Sequence, residues 1–313
     1  MSGDEKVFVC VPTFREPNKI KLFLASLNFV DYSPLEVVIV NANGPDESSL
    51  IIEEYSNNVN FKLTEIFGQS DEFWSASVNR GFRYVENISS DNDLIIVANI
   101  DIEFSTDIVT ALVCRLKSLG NCQVGAIALS NGTAISSGVI VKSWAFTLNR
   151  HPFAGLLKDR LPNDLLCPVH FLPGRCFIFP VINLKNSGLI DELNLPHYCA
   201  DYEFSYRLTK SGCPAFLDLG VIISADMVNT GLSTYDNSAG IVKRFSRLWS
   251  IKNPANPYYR MFMVIKMFPF YWIPFGLFFY FLRSFMETLF GGRIIYKFLG
   301  TRERGYSGSN HAK

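Results

Sequence analysis

Short apolar runs that end in polar or acidic residues, with helically spaced segments between them, set the tightest limit on how this chain can fold. KVFVCVPTF (6–14) is rich in β-branched residues and stops at Pro and Thr, and LEVVIVNANG (35–44) is a second such run closing on turn residues. FKLTEIF (61–67) and the continuous LIIVANID (94–101) follow, the latter ending on acid. Between the first two runs, NKIKLFLASLNFV (18–30) places Ile20, Phe23, Leu24 and Leu27 at helical spacing, and SASVNRGFRYVEN (75–87) has the same character. Strands and helices alternating through short links predict βαβ units in a parallel sheet. A helix near 106–118 and the strand VGAIAL (124–129) extend the series. Segment 130–170 is irregular with room for a short hairpin, FLPGRCFIFP (171–180) has strand character, and 200–211 is a helix ended by Gly212.

In open α/β sheets, ligands gather at the carboxyl ends of the strands. Here those ends carry Thr13 and Arg15, then Asn41 and Asn43, then Asn99, Asp101 and Glu103. No G-x-G-x-x-G follows the first strand and no G-x-x-x-x-G-K-[ST] occurs, which removes support for a dinucleotide enzyme or a P-loop nucleotidase. There is no clustered His/Cys set for zinc and no G-x-S-x-G for an esterase. What remains is oxygen ligands at strand ends. Asn99 and Asp101 suit a hard divalent ion, Mn²⁺ or Mg²⁺, whose shell diphosphate oxygens complete; N-x-D is a weak motif, and taken alone it favours Asp101 as a cap for the next helix or turn.

The net charge of zero conceals an asymmetry: residues 241–313 hold 12 Lys/Arg against Glu287 and Glu303, while 1–240 are net −10. That tail contains 16 uninterrupted apolar residues (267–282), broken by Pro269 and Pro274, where a transmembrane helix needs about 20. Tyr271, Trp272 and Tyr280 favour the headgroup level, and Lys/Arg flank both sides, so the expectation is an interfacial helix pair at a membrane surface; a buried core helix is the other reading. The basic residues bracket an apolar run and form no dense stripe, which argues for a membrane partner and no nucleic acid. Seven scattered cysteines without C-x-x-C and an N-terminus without a signal peptide point to free thiols in a reducing compartment. The expected location is therefore the cytoplasmic face of the inner or plasma membrane, held peripherally.

Taken in order, the segments resemble the family 2 glycosyltransferases, which have the GT-A fold. VCVPTFRE (9–16) resembles the family's opening strand, whose end contacts the nucleotide, through Pro12, Thr13 and Arg15 here. VVIVNANGPDES (37–48) resembles the second strand and turn, with Asn41 where the family usually has Asp on the base; its amide oxygen can still accept from a pyrimidine N3–H. FWSASVNRGF (73–82) is similar to the stretch near the donor and carries over Asn79. ANIDIEF (98–104) corresponds to the D-x-D-type motif, with Asn99 first and Asp101 as the metal carboxylate. LPGRCFIF (172–179), with Gly174, resembles the strand beside the donor sugar, and HYCADYEFSYR (197–207) the acceptor-side motif whose Asp, here Asp201, is the general base. SADMVNTG (224–231) stands where many members offer a metal-binding His, with Asp226 as the substitute, and the processive Q-x-x-R-W is absent.

The composition of 241–313 marks it as a basic, aromatic, membrane-associating region, while the resemblance, which covers roughly residues 6–230, implies an α/β GT-A domain over 1–240. It implies an inverting, metal-dependent transfer from a nucleotide-diphosphate sugar to a hydroxyl of a glycan or lipid-linked acceptor, in surface polysaccharide assembly. A sugar-nucleotide pyrophosphorylase is the alternative enzyme, though its basic, glycine-rich phosphate loop is missing; a membrane-attached binding module is the non-catalytic alternative. Asp201 is also a sensible first-turn acid by local structure, and Glu203 with Arg207 forms an i,i+4 pair. The helix N-terminus is expected to keep Asp201 ionised. Arg175 suits either the diphosphate or a pair with an acid on the surface, Trp74 either the core or a sugar face, and His197 an acceptor-side contact or a solvated loop.

Overall fold

The computed structural model describes residues 2–226 and 240–290. The chain runs β1 (Ser2–Thr13), α1 (Pro17–Leu27), β2 (Ser33–Asn41), α2 (Glu47–Ser56), β3 (Lys62–Phe67), α3 (Trp74–Ile88), β4 (Leu94–Ala98), β5 (Ile102–Glu103) and α4 (Ile108–Leu119). It continues with β6 (Gln123–Ser130), β7 (Thr133–Ser136), β8 (Ile140–Ser143), β9 (Leu148–Arg150), β10 (Leu166–Val169), β11 (Cys176–Pro180), α5 (Val181–Ser187), α6 (Ala200–Lys210) and β12 (Ala215–Ala225). Beyond residue 240 lie α7 (Ile241–Leu248), α8 (Pro257–Met267) and α9 (Ile273–Phe290).

The main sheet has the order β10-β12-β6-β11-β4-β1-β2-β3, with β5 on β12 and β7 on β6. β1 to β4 pair in parallel, as do β6 and β12; β11 is antiparallel to both β4 and β6 and joins the two parallel halves. The continuous apolar runs have a direct cause. Val7, Val9 and Val11 of β1 pack with Phe23 and Leu24 of α1 on one face, while Phe8 and Cys10 pack with Val78 and Phe82 of α3 on the other. A strand covered on both faces has no solvent side to alternate toward.

The expected strand at 171–180 is shorter. Phe171 makes one isolated bridge to Val139, and the ladder of β11 begins only at Cys176, after the Pro173-Gly174 break. Residues 173–175 are therefore a loop that opens onto the carboxyl end of β4. The irregular 130–170 segment does hold a hairpin, β8 with β9.

The C-terminal helices dock on this sheet domain. Met263, Val264, Met267 and Tyr280 share one apolar cluster with Val139, Phe171 and Tyr206. Pro269 lies just past α8 and Pro274 sits in the first turn of α9, where a missing N–H is harmless. Buried Glu287 accepts from Arg260 (2.8 Å) and Arg283 (2.8 Å), locking α8 to α9, and Lys266 pairs with Asp191 of the sheet domain (2.8 Å). These three cations, counted from sequence as flanks for a lipid surface, are thus engaged within the protein. Phe270, Tyr271, Phe275, Phe278 and Phe281 remain exposed along the opposite side. No helix among the described residues is long and apolar enough to cross a membrane.

Candidate active site

The first group of strand-end residues closes over β1 and β2. Pro12 and Thr13 pair in register with Val40 and Asn41. The Thr13 hydroxyl is sealed from solvent and has no hydrogen-bond partner, so it is a donor awaiting an acceptor. Arg15 adopts a left-handed φ of 54° and donates Nε–H to the Asn43 amide oxygen (2.7 Å).

Asn41 is placed differently from the sequence expectation. It is fully buried, and its amide nitrogen donates to Asp46 (3.1 Å) and Glu65 (3.1 Å) while its oxygen accepts the Asn43 N–H (3.2 Å). The amide oxygen that was to meet a base N–H is engaged by the chain's own backbone. An Asp here would face two carboxylates with no proton to offer, which explains the Asn on electrostatic grounds. Glu65 also accepts from Ser49 (2.7 Å).

A second group gathers at the end of β4 around the 173–175 loop. Asn99 donates its backbone N–H to the Arg175 carbonyl (3.1 Å) and accepts the Trp74 indole N–H (3.0 Å) on its side-chain oxygen. Asp101 Oδ2 accepts from Arg175 (3.1 Å), while its Oδ1 is buried with no hydrogen-bond partner. The Gly174 N–H donates to Asp201 Oδ2 (2.8 Å). A Cβ at Gly174 would lie 2.7 Å from Trp74 Cζ2 and 3.1 Å from Asp201 Cβ, so only glycine lets these groups converge. Asn99 and Asp101, Gly174 and Arg175, and Asp201, from three stretches distant in sequence, form one constellation with Trp74.

Asp201 is not the cap of α6. The cap position is Cys199, in left-handed conformation (φ 67°) and without a side-chain cap bond. Asp201 instead turns its carboxylate across to the loop and accepts Tyr202 N–H on Oδ1 (2.9 Å). Burial pushes its carboxyl above the ordinary value, against the lowering by the Gly174 and Tyr202 N–H groups and the charge of Arg175. The helix N-terminus therefore does not dominate, and the balance yields a more basic carboxylate than a surface Asp.

What aims Asp201 is the segment between α5 and α6. Ser75 donates its N–H to Pro196 (3.0 Å) and its hydroxyl to Leu195 (2.5 Å). Asn79, only 1% exposed, exchanges hydrogen bonds with the Ile190 backbone (2.8 and 2.9 Å) and reaches Glu192 (2.6 Å). Its amide is committed to holding this segment against α3, so it acts on the site at a distance and does not open on it. Glu203 and Arg207 form the expected pair, and Arg207 donates onward to the carbonyls of Gly188 (3.1 Å) and Leu189 (2.9 Å). From the other side, His151 Nδ1 donates to the Ser137 carbonyl (2.7 Å), and its Nε2 lies 3.2 Å from the Tyr202 hydroxyl.

His197 is enclosed beside Phe73 and Tyr198, its Nδ1 buried without a hydrogen-bond partner. Burial, with Lys252 adding repulsion, lowers its pKa to about 4. It sits in a loop, as expected, but its ring is enclosed and not solvated.

Among the described residues, no three His, Cys, Asp or Glu side chains gather closely enough to hold a metal by themselves. The Asp226 N–H donates to the Asp101 carbonyl (2.8 Å), so β12 brings the two acids together through their backbones. Residues 227–231 of the SADMVNTG stretch lie outside the described residues. A sealed, unpartnered carboxylate oxygen and a second acid nearby fit a hard cation that takes most of its shell from substrate phosphates and water.

A mostly parallel sheet with this cluster of oxygen ligands at its strand ends is the GT-A arrangement. The family model for Glycosyl transferase family 2 matches residues 8–180, more than half the chain, and the protein belongs to that family. No curated protein matches it. Among solved structures, the fold is similar to residues 1–349 of TarS from S. aureus, with TM-score 0.54 and 13% identity over 90% of this chain and 72% of that one. It is similar to the mannosyltransferase PcManGT from Pyrobaculum calidifontis, solved with GDP-Man and Mn²⁺, with TM-score 0.50 and 13% identity over 94% and 79%. GalNAc-T7, solved with UDP, GalNAc and Mn²⁺, gives TM-score 0.54 and 13% identity over 94% of this chain and 57% of its own.

Proposed function

We propose that this protein is an inverting, metal-dependent glycosyltransferase that moves a sugar from a nucleotide-diphosphate donor to a hydroxyl of a glycan or lipid-linked acceptor. The observation that carries the reading is the convergence of Asp101, Arg175, Gly174 and Asp201 on one loop at the end of β4. Asp201 takes the proton of the acceptor hydroxyl as its oxygen bonds to the anomeric carbon. The bond from that carbon to the β-phosphate breaks, and the nucleoside diphosphate leaves. A raised pKa strengthens Asp201 for this task, and its two N–H contacts keep the carboxylate aimed. Asp101 and Asp226 would hold the divalent cation, which when bound neutralises charge building on the departing phosphate. Arg15 and the backbone at Thr13, both at the end of β1, would meet the nucleoside. Trp74, whose indole N–H is held by Asn99 (3.0 Å), would form a rigid wall for the donor sugar.

The exposed aromatic residues before and along α9, with Phe270 88% and Phe278 63% exposed, support attachment to a membrane surface, and the reading puts this on the cytoplasmic side, next to a lipid-linked acceptor of surface polysaccharide. With Arg260, Lys266 and Arg283 engaged internally, apolar insertion carries this attachment more than charge does. A turnover panel of UDP-, dTDP- and GDP-sugars with Mn²⁺, read as nucleoside diphosphate release, tests the activity; a protein that binds nucleotide and releases none is a binding module. Flotation with liposomes tests the attachment, and a protein that stays at the bottom of the gradient with Phe270, Phe275 and Phe278 intact rejects it.

A further inference from the structure

The Arg175 to Asp101 ion pair occupies the place where the family reading requires a cation. Arg175 Nη1 lies 3.1 Å from Asp101 Oδ2, and the two side chains are only 17% and 7% exposed. Asp101 Oδ1 is sealed and has no hydrogen-bond partner. The carboxylate is thus satisfied on one oxygen and unsatisfied on the other, a costly state for a buried acid. Arg175 is fixed at its backbone, where its carbonyl accepts the Asn99 N–H and the next residue enters the β11 ladder opposite Ala98. Its backbone is therefore held independently of the ion pair its side chain makes with Asp101.

We infer that Arg175 stands in for the divalent cation at Asp101 until the donor arrives, and then transfers its charge to the donor diphosphate. The inference rests on the glycosyltransferase reading and adds an order of events to it. Two cations on one carboxylate repel each other, so in the nucleotide-free protein the guanidinium opposes a metal ion. A diphosphate brings enough negative charge for both, and guanidinium matches phosphate geometry in a fork. Metal and nucleotide then bind cooperatively, each raising the affinity of the other by the same factor.

The experiment is calorimetric titration of Mn²⁺ into the full-length protein with and without UDP or GDP, for the wild type, Arg175→Met and Arg175→Gln. Removing the charge should tighten Mn²⁺ binding to the nucleotide-free protein at least tenfold, and weaken nucleoside diphosphate binding in saturating Mn²⁺ at least tenfold. The Gln variant, which can still donate an N–H to Asp101, should gain as much as the Met variant, because the effect is one of charge and not of volume. Asp101→Asn added to Arg175→Met should abolish the gained Mn²⁺ affinity. Mn²⁺ affinity of both single variants within twofold of wild type, or no Mn²⁺ binding by either, overturns the inference. Failure of every form to bind a nucleoside diphosphate would instead defeat the glycosyltransferase reading, while the nucleotide-free titrations still decide what Arg175 does.

Discussion

Gly174→Ala is the smallest change that should disable the site. The added methyl lies 2.7 Å from Trp74 Cζ2 and 3.1 Å from both Trp74 Cη2 and Asp201 Cβ, all inside contact distance. Trp74 cannot retreat without giving up its hydrogen bond to Asn99 (3.0 Å), and Asp201 cannot without lengthening its bond from the Gly174 N–H (2.8 Å). Forcing one extra methyl into a packed site costs about 1–3 kcal/mol. The larger effect is on rate, since displacing a reacting group by about 1 Å can cost on the order of 10²-fold. Thermal denaturation, nucleotide titration and turnover should therefore give a modest loss of stability, near-normal nucleotide affinity and kcat down about a hundredfold. Gly240→Ala, with nothing within 4 Å of the new methyl among the described residues, is the control for the substitution itself. Turnover within twofold of wild type in Gly174→Ala would refute the claim that this loop and Asp201 are held in contact for catalysis.

Asn41→Asp should destabilise the fold by at least about 1–3 kcal/mol at pH 8, because it sets a third carboxylate between Asp46 and Glu65. In the wild type, burial raises the Asp46 pKa, but hydrogen bonds led by the Asn41 amide outweigh it and hold the pKa below its ordinary value. Asp46 thus adds stability that is present above its unfolded pKa and lost as pH falls; the variant should reverse this and melt closer to wild type at pH 5 than at pH 8. His197 folds with its pKa at about 4, below the ordinary 6.5, so between these values the unfolded chain binds more protons and stability falls as pH drops. His197→Gln should remove that slope, up to about 1.4 kcal/mol per pH unit, from denaturant melts taken across the window. Tyr202→Phe breaks the link to His151 (3.2 Å) beside Asp201 and should lower kcat by up to about tenfold with nucleotide affinity unchanged; an unaltered kcat would show that this link does not position the base.

The elements that position the site were largely readable because they obey local rules. β1, β2 and β4 are buried on both faces and so appear as unbroken apolar runs, and α1 and α3 carry one apolar stripe each. The 173–175 loop was hidden in an apparent strand, because Phe171 and Leu172 are buried for tertiary reasons while the ladder starts later. Of the site residues, Asp101, Gly174 and Asp201 came from motif order, yet nothing local told that Asp201 bonds Gly174 and not its own helix end. Asn41 and Asn79 were legible as polar residues in apolar settings, but not in their roles. Both are consumed by long-range partners, Glu65 and Ile190, and a buried amide looks the same in sequence whether it faces a ligand or the chain. The pairing of Arg175 with Asp101, 74 residues apart, left no signal beyond the two charges themselves.

The central claim is that Asp201 is the base, and Asp201→Asn tests it most directly. The variant keeps a side-chain oxygen for the Gly174 N–H while losing the ability to take a proton. With the sugar nucleotide that the wild type turns over, nucleoside diphosphate release should fall by about 10²–10⁴-fold while donor affinity by titration stays within a few-fold. A variant that binds donor normally and turns over at the wild-type rate would contradict the account.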